Sequence, residues 1–159
     1  VERMIVLSDN NAFTLLSRVV DPGELDRVYA LLRVQNPRSQ ADDQFLSVQT
    51  YASFFRILYN ASYLTKDQSQ KALEYLAESE FDMGLEAGTP KEVTVAHKFG
   101  ESGRANSAER QLHDCGIVYH PTKPYLLCVM TRGADMKALA GAIAETSRLV
   151  YAEVDGSTR

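Results

Sequence analysis

The apolar pattern of this 159-residue chain changes from a helical to an alternating period near residue 93. Before that position, apolar side chains recur every three or four residues, which is typical of helices that bury one face. From there the pattern alternates, with Val93, Val95 and His97 on one side of a predicted strand. Two further strand-like runs and a last helical run follow. This order of helices, three strands and one helix predicts an α+β fold with a three-stranded antiparallel meander and a C-terminal helix.

The helical part, residues 1–90, is divided by capping residues and loop-forming residues. Asp21 precedes Pro22 at a predicted helix start, and Thr65 is placed to cap the helix that follows it. We expect helices over 12–20, 22–34 and 46–60, a further helix that begins after Thr65, and the end of a buried helix in 1–7. Residues 35–44 are polar and predict a loop.

The second part, residues 91–159, is expected to form the sheet and the helix that covers it. A polar connection is predicted over 101–111, followed by strands at 116–120 and 125–131 around a turn at 121–124. The last helix is predicted from 134 to about 154. Its sheet-facing side chains are expected to be Met136, Leu139, Ala140, Ile143 and Leu149.

The two cysteines are predicted to be reduced and partly buried. In the second predicted hairpin, pairing Tyr119 with Leu126 puts Cys128 opposite Ile117. Cys115 and Cys128 are then diagonal neighbours on adjacent strands, and two cysteines are too few to define a disulfide framework.

Charge and composition make several functional classes unfavourable. The net charge is −4 with acids and bases interspersed, which indicates no nucleic-acid partner. No run of 18 apolar residues predicts a membrane span. His113, Asp114, Cys115 and His120 lie around one predicted strand with irregular spacing, so no metal site is expected. No cofactor is expected either.

Two short motifs carry most of the functional information. Ser8-Asp9-Asn10 occupies a break between predicted helices, and Lys98-Phe99-Gly100 ends the predicted strand. They resemble the second and third motifs, Ser-Asp-Asn and Lys-Thr-Gly, of class A β-lactamases and penicillin-binding serine hydrolases. The helices and the hairpin around them also resemble that family. The first motif, Ser-x-x-Lys, does not occur among the 159 residues.

The resemblance implies that residues 1–159 are a single partial domain, the later portion of a serine hydrolase whose nucleophile lies upstream. It implies that Ser8 relays a proton to the leaving nitrogen and that Lys98 supplies positive charge near the substrate carboxylate. Asn10 would hydrogen-bond the substrate amide. The implied partner is the missing N-terminal part of the same fold or another chain.

The residues after Lys98 are implied to bind substrate. Glu101 follows Gly100 at the position whose backbone N–H completes an oxyanion hole in the family. Phe99 stands where a hydroxyl usually binds the substrate carboxylate, so recognition of β-lactams should weaken. The loop 35–44 contains Asp42 and Asp43 but no glutamate to activate water, so an acyl-enzyme should be long-lived.

An arginine often follows the third motif in the family, and its candidates here are Arg104, Arg110 and Arg132. The expected function is that of a serine acyl-hydrolase acting on peptidoglycan-like amides or esters, in the periplasm or secreted. The alternative is a non-catalytic binding domain that keeps the fold. Phe99 and the absent loop glutamate favour it, and the intact Ser8, Asn10 and Lys98 argue against it. An unrelated α+β domain is the third interpretation.

Overall fold

The computed structural model of the protein describes residues 1–34, 46–103 and 108–156. Six helices and three strands are seen in these residues. The helices are α1 Glu2–Val6, α2 Asn10–Val19, α3 Pro22–Leu31, α4 Val48–Tyr59, α5 Lys66–Ala77 and α6 Met136–Asp155, and the strands are β1 Val95–Gly103, β2 Arg110–Val118 and β3 Tyr125–Gly133. A short 3₁₀ turn, Glu86–Gly88, precedes β1. The α+β fold class is confirmed.

The helix starts follow from local capping. Thr65 accepts a hydrogen bond from the backbone N–H of Gln68, and the Gln68 side chain accepts one from the N–H of Thr65, which completes a capping box. Asp21 caps α3, and Pro22 occupies its first turn. Ser47 caps α4 through the N–H of Thr50. These pairings satisfy backbone donors that the first helical turn leaves free.

The sheet is antiparallel with the order β1-β2-β3, so β1 is an edge strand. Its two faces are covered by different helices, because successive side chains of a strand point to opposite sides. On one face α6 and the 3₁₀ turn pack over a core that includes Val95, Leu112 and Ile143. On the other face α4 and α5 pack over a second core with Phe55, Ala96 and Ile117.

The predicted polar connection over 101–111 was too long. β1 continues to Gly103 and β2 begins at Arg110. Glu101 pairs with Leu112, and Ser102 pairs with Gln111. A strand is defined by its backbone ladder, so exposed polar side chains at the end of a hairpin do not end the pairing.

The predicted register of the second hairpin was wrong by two residues. Val118 pairs with Tyr125, so His120 belongs to the connection and not to the strand. Its Nδ1 accepts hydrogen bonds from the backbone N–H groups of Thr122 and Lys123, which fixes the longer loop. Cys115 and Cys128 are therefore direct partners and form a disulfide, contrary to the prediction of reduced thiols.

Two predictions of burial were also wrong. Leu149 was expected to face the sheet, but its side chain is 50% exposed, whereas Leu139, Ala140 and Ile143 are buried as expected. The helix in residues 1–7 has no buried residue: it packs on α2 and α5, and its Ile5 is only partly buried against the second core. The predicted loop 35–44 and Arg104 lie outside the described residues.

Candidate active site

The turn between α1 and α2 holds Ser8 in an uncommon backbone conformation. Its φ is +52°, in the left-handed region that costs a residue with a Cβ about 1–2 kcal/mol. Asp9 fixes the turn, because its carboxylate accepts hydrogen bonds from the N–H groups of Asn11 at 2.8 Å and Ala12 at 3.1 Å. Those bonds, Ala12 first, hold the pKa of Asp9 below its ordinary value, and Arg3 adds to the effect. The turn is thus locked as a helix cap.

Lys98 lies on the edge strand β1, on the face that α4 and α5 cover. Its Nζ is buried and has no hydrogen-bond partner among the described residues. The ammonium lies 4.5 Å from the centroid of the Phe99 ring, a cation–π contact. Burial lowers the pKa of Lys98, and the negative charge of Asp114 opposes that shift. The ammonium is therefore a positively charged group that can still donate hydrogen bonds.

The turn and the strand face one another across a single cavity. Ser8, Asn10 and Lys98 all line this open space, whose volume is about 400 Å³. Most of the remaining wall is apolar and comes from four helices; it includes Met4, Ile5, Phe13, Leu58, Ala72 and Leu76. Residues about ninety positions apart in sequence thus supply the polar groups of a largely apolar pocket.

The other predicted site residues are not among those that line the cavity. Phe99 stacks on Phe81 with ring centroids 4.2 Å apart and packs against the core under α6. Its ring meets the Lys98 ammonium at the free edge of β1. Gly100 has open space where a Cβ would stand. The Glu101 side chain is exposed near the end of the strand.

A model of the family described as "Beta-lactamase enzyme family" matches residues 1–154. The chain belongs to the β-lactamase enzyme family. Solved structures agree at the level of the fold. A β-lactamase from Chitinophaga pinensis is 21% identical with a TM-score of 0.81, over 96% of this chain and 63% of that one. PBP-A is 22% identical with a TM-score of 0.77, over 98% of this chain and 60% of that one.

A third solved structure, the putative class A β-lactamase PenP from Rhodopseudomonas palustris, is 21% identical with a TM-score of 0.77. It is matched over 96% of this chain and 63% of its own length. The chain therefore spans about three fifths of the length of these three matched structures. A comparison with curated proteins gives no match.

Sequence reasoning missed one buried polar group in this β-lactamase-like sheet. The Nδ1 of His97 lies 2.9 Å from Oδ1 and 3.1 Å from Oδ2 of Asp114. Asp114 Oδ2 also accepts a hydrogen bond from the backbone N–H of Leu85 at 2.8 Å. Both side chains are fully buried. Asp114 is the cross-strand partner of Phe99, and its contact with His97 could have been predicted only from this register.

Two further observations concern the residues that the structure describes. No group of three or more histidine, cysteine or acidic side chains in these ranges is arranged to hold a metal ion. None of the helices in them combines the length and the apolar character needed to cross a membrane. The arginine candidates Arg110 and Arg132 lie at one end of the sheet, where Arg132 pairs with Glu109 at 3.5 Å.

Proposed function

We propose that these 159 residues form one partial domain of a serine acyl-hydrolase of the β-lactamase and penicillin-binding class. The substrates would be peptidoglycan-like amides or esters. The nucleophilic serine would come from residues outside this sequence, in the missing N-terminal part of the same fold or in a partner chain. The observation that supports the proposal is the single cavity lined by Ser8, Asn10 and Lys98.

The chemistry divides among these three residues. The Ser8 hydroxyl both donates and accepts hydrogen bonds, so it can pass a proton to a leaving nitrogen. The Lys98 ammonium attracts an anionic substrate group and lowers the cost of transient negative charge on Ser8. Asn10 offers an amide that can orient the substrate through both a donor and an acceptor. An acyl-enzyme formed on the external nucleophile would divide the reaction into two easier steps.

The surroundings of Lys98 support this division. Its ammonium lies against an aromatic ring and apolar side chains and has no hydrogen-bond partner among the described residues. A charge in such a setting is weakly screened, so a carboxylate that entered the cavity would be attracted strongly. Glu101 would contribute through its backbone N–H, and Gly100 leaves room beside the strand for a bound chain.

Phe99 directs the proposal away from efficient β-lactam hydrolysis. A phenyl ring cannot donate the hydrogen bond that a threonine or serine hydroxyl would give to a substrate carboxylate. We therefore propose slow acylation by penicillins. Slow deacylation is part of the proposal as well, since residues 35–44 supply Asp42 and Asp43 but no glutamate.

The alternative function is a non-catalytic binding domain with the same fold. The contact between Lys98 and Phe99 favours it, because the ring covers part of the ammonium that a substrate carboxylate would approach. Such a domain would bind anionic peptides in the cavity without forming a covalent bond.

We also propose an extracytoplasmic location, which the Cys115–Cys128 disulfide supports because disulfides persist in oxidising compartments.

Covalent labelling separates the enzyme from the binding domain. The complete protein is incubated with a fluorescent penicillin and analysed on a denaturing gel. A single-residue variant of PBP-A, 22% identical to this chain, has been solved as an acyl-enzyme complex with penicillin G, which supports this choice of probe. We expect slow labelling of the complete protein and none of the 159-residue chain alone.

Two variants make the test specific. Lys98→Ala should abolish labelling or reduce it by at least about tenfold, the effect expected when a positioned charge is lost from a partly dry site. Lys71→Ala is the matched control, because Lys71 is exposed and paired with Glu74 on α5. Absence of labelling in the complete protein, with penicillin protecting the cavity from proteolysis, would favour the binding domain. Rapid hydrolysis of a chromogenic cephalosporin would refute the proposed slow turnover.

A further inference from the structure

A buried acid lies behind the strand that carries Lys98. Asp114, on β2, is fully buried and accepts hydrogen bonds from the Leu85 N–H at 2.8 Å and from His97 Nδ1 at 2.9 Å. The second ring nitrogen of His97 faces Glu86, with Nε2 and Oε2 3.7 Å apart. A fully buried carboxylate is retained only where its hydrogen bonds and neighbouring charges compensate for lost hydration.

The hydrogen-bonded pair of Asp114 and His97 holds the backbone of Lys98 from one side of the sheet. His97 is the preceding residue on β1, and Asp114 precedes Cys115, the cross-strand partner of Lys98. From the other side, the Tyr51 hydroxyl of α4 donates a hydrogen bond to the Lys98 carbonyl at 2.7 Å. The strand segment is thus fixed by β2, by the residue before the 3₁₀ turn and by α4. The Lys98 ammonium contacts the Phe99 ring, and Lys98 lines the cavity, while its Nζ has no hydrogen-bond partner among the described residues.

Asp114 also acts on Lys98 through its charge. Burial favours the neutral amine and lowers the pKa of Lys98, and the field of Asp114 raises it. The same field, after burial, raises the pKa of Tyr51 above its ordinary value. The acid that lines the cavity together with Lys98 is Asp9, and its carboxylate is paired with Arg3 at 3.0 Å.

We propose that Asp114 is a positioning residue for Lys98: it anchors β1 through its hydrogen bonds to His97 and Leu85, and its negative charge behind the strand favours the charged ammonium beside an apolar cavity. The catalytic meaning of this role rests on the proposed function. The electrostatic effect of Asp114 on Lys98 does not depend on the proposed function, and a titration measures that effect by itself.

The experiment follows the titration of the Lys98 amine by NMR in the complete protein labelled with ¹³C-lysine. Lys98→Arg assigns the signal. Asp114→Asn keeps an oxygen that can accept from Leu85 but removes the charge, so the Lys98 midpoint should move to lower pH. The control is Ser147→Ala. Ser147 is also fully buried and donates to the Leu85 carbonyl at 2.8 Å, so the variant loosens the same residue without a change in charge.

The Lys98 midpoint should stay in place in the Ser147→Ala protein, although both variants lose stability. An unchanged midpoint in folded Asp114→Asn, or an equal shift in Ser147→Ala, would overturn the proposal. If Asp114→Asn does not fold, the double variant His97→Gln with Asp114→Asn lets two amides bond to one another and removes the same charge. The same downward shift is expected there, and its absence overturns the proposal equally.

Labelling with a fluorescent penicillin separates this inference from the proposed function. If the midpoint shifts but even the unmodified complete protein forms no adduct, the positioning role stands and the hydrolase proposal fails. If the complete protein is labelled and Asp114→Asn is labelled at the same rate with an unshifted midpoint, the hydrolase proposal stands and the positioning role fails. We expect the shift together with a loss of labelling rate of at least about tenfold.

Discussion

Replacement of Phe99 by threonine should lower stability while it improves the fit of the site to a β-lactam. The ring stacks on Phe81 at a centroid separation of 4.2 Å and lies 4.5 Å from the Lys98 ammonium. A stacked aromatic pair contributes about 1 kcal/mol beyond burial. A cation–π contact contributes about 0.5–1 kcal/mol. Loss of a partly buried ring adds about 1 kcal/mol, half of the value for a fully buried large side chain.

The expected loss for Phe99→Thr is therefore about 2–3 kcal/mol in the free energy of unfolding, measured by urea denaturation. Phe99→Leu keeps most of the apolar contact and loses only the ring interactions, so its cost should be smaller, about 1–2 kcal/mol. A double-mutant cycle with Phe81→Leu isolates the stacking, and its coupling should be about 1 kcal/mol. In the complete protein, the threonine hydroxyl should also raise the rate of penicillin labelling.

Two results would refute this reasoning. A Thr variant as stable as the unmodified protein would show that the ring contributes no net packing or cation–π energy. Zero coupling between Phe81 and Phe99 would show that the stacked geometry carries no energy of its own. A normal loss of stability with unchanged or slower penicillin labelling would refute only the role assigned to the missing hydroxyl.

Three further predictions concern the scaffold. Gly116→Ala should cost at least about 2 kcal/mol in urea denaturation, because a Cβ would stand 2.7 Å from the Ala96 carbonyl, whereas Gly141→Ala on the open face of α6 should gain about 1 kcal/mol. Thiol titration of the unreduced, denatured protein should find neither Cys115 nor Cys128 free, and their joint replacement by alanine should cost about 3 kcal/mol. Asp9→Asn should remove stability that is present above pH 3.8 and lost as the pH falls through the lowered pKa of Asp9, so urea curves of the two proteins should differ more at pH 6 than at pH 2.

The elements of the fold were predictable because their signals are local. Thr65 and Asp21 mark helix starts by side chains that bond to the next few N–H groups, and those bonds form as expected. The alternating pattern after Val93 also marked the first strand locally, because it depends only on the order of neighbouring side chains. The extent of β1 past Gly100 was missed because it depends on pairing with β2, which the side chains of residues 101–103 do not reveal.

The error in the second hairpin shows which information a period-two pattern lacks. A shift of two residues leaves every side chain on its original face and changes only its cross-strand partner. The faces of the two strands could therefore be read correctly while the pairing of Cys115 with Cys128 was missed. The longer loop includes hydrogen bonds from the Thr122 and Lys123 N–H groups to His120 Nδ1, contacts that a hydrophobic pattern does not reveal.

The candidate site depends on both kinds of information. Ser8 and Lys98 could be named from two motifs, and the fold brings them to one cavity although helices α2 to α5 separate them in sequence. Asp114 has no motif, and its relation to Lys98 arises only from the register that places it beside the partner of that lysine. Candidate site residues that belong to a motif are therefore easier to find by resemblance than the buried polar groups beside them, because the latter depend on pairing between strands.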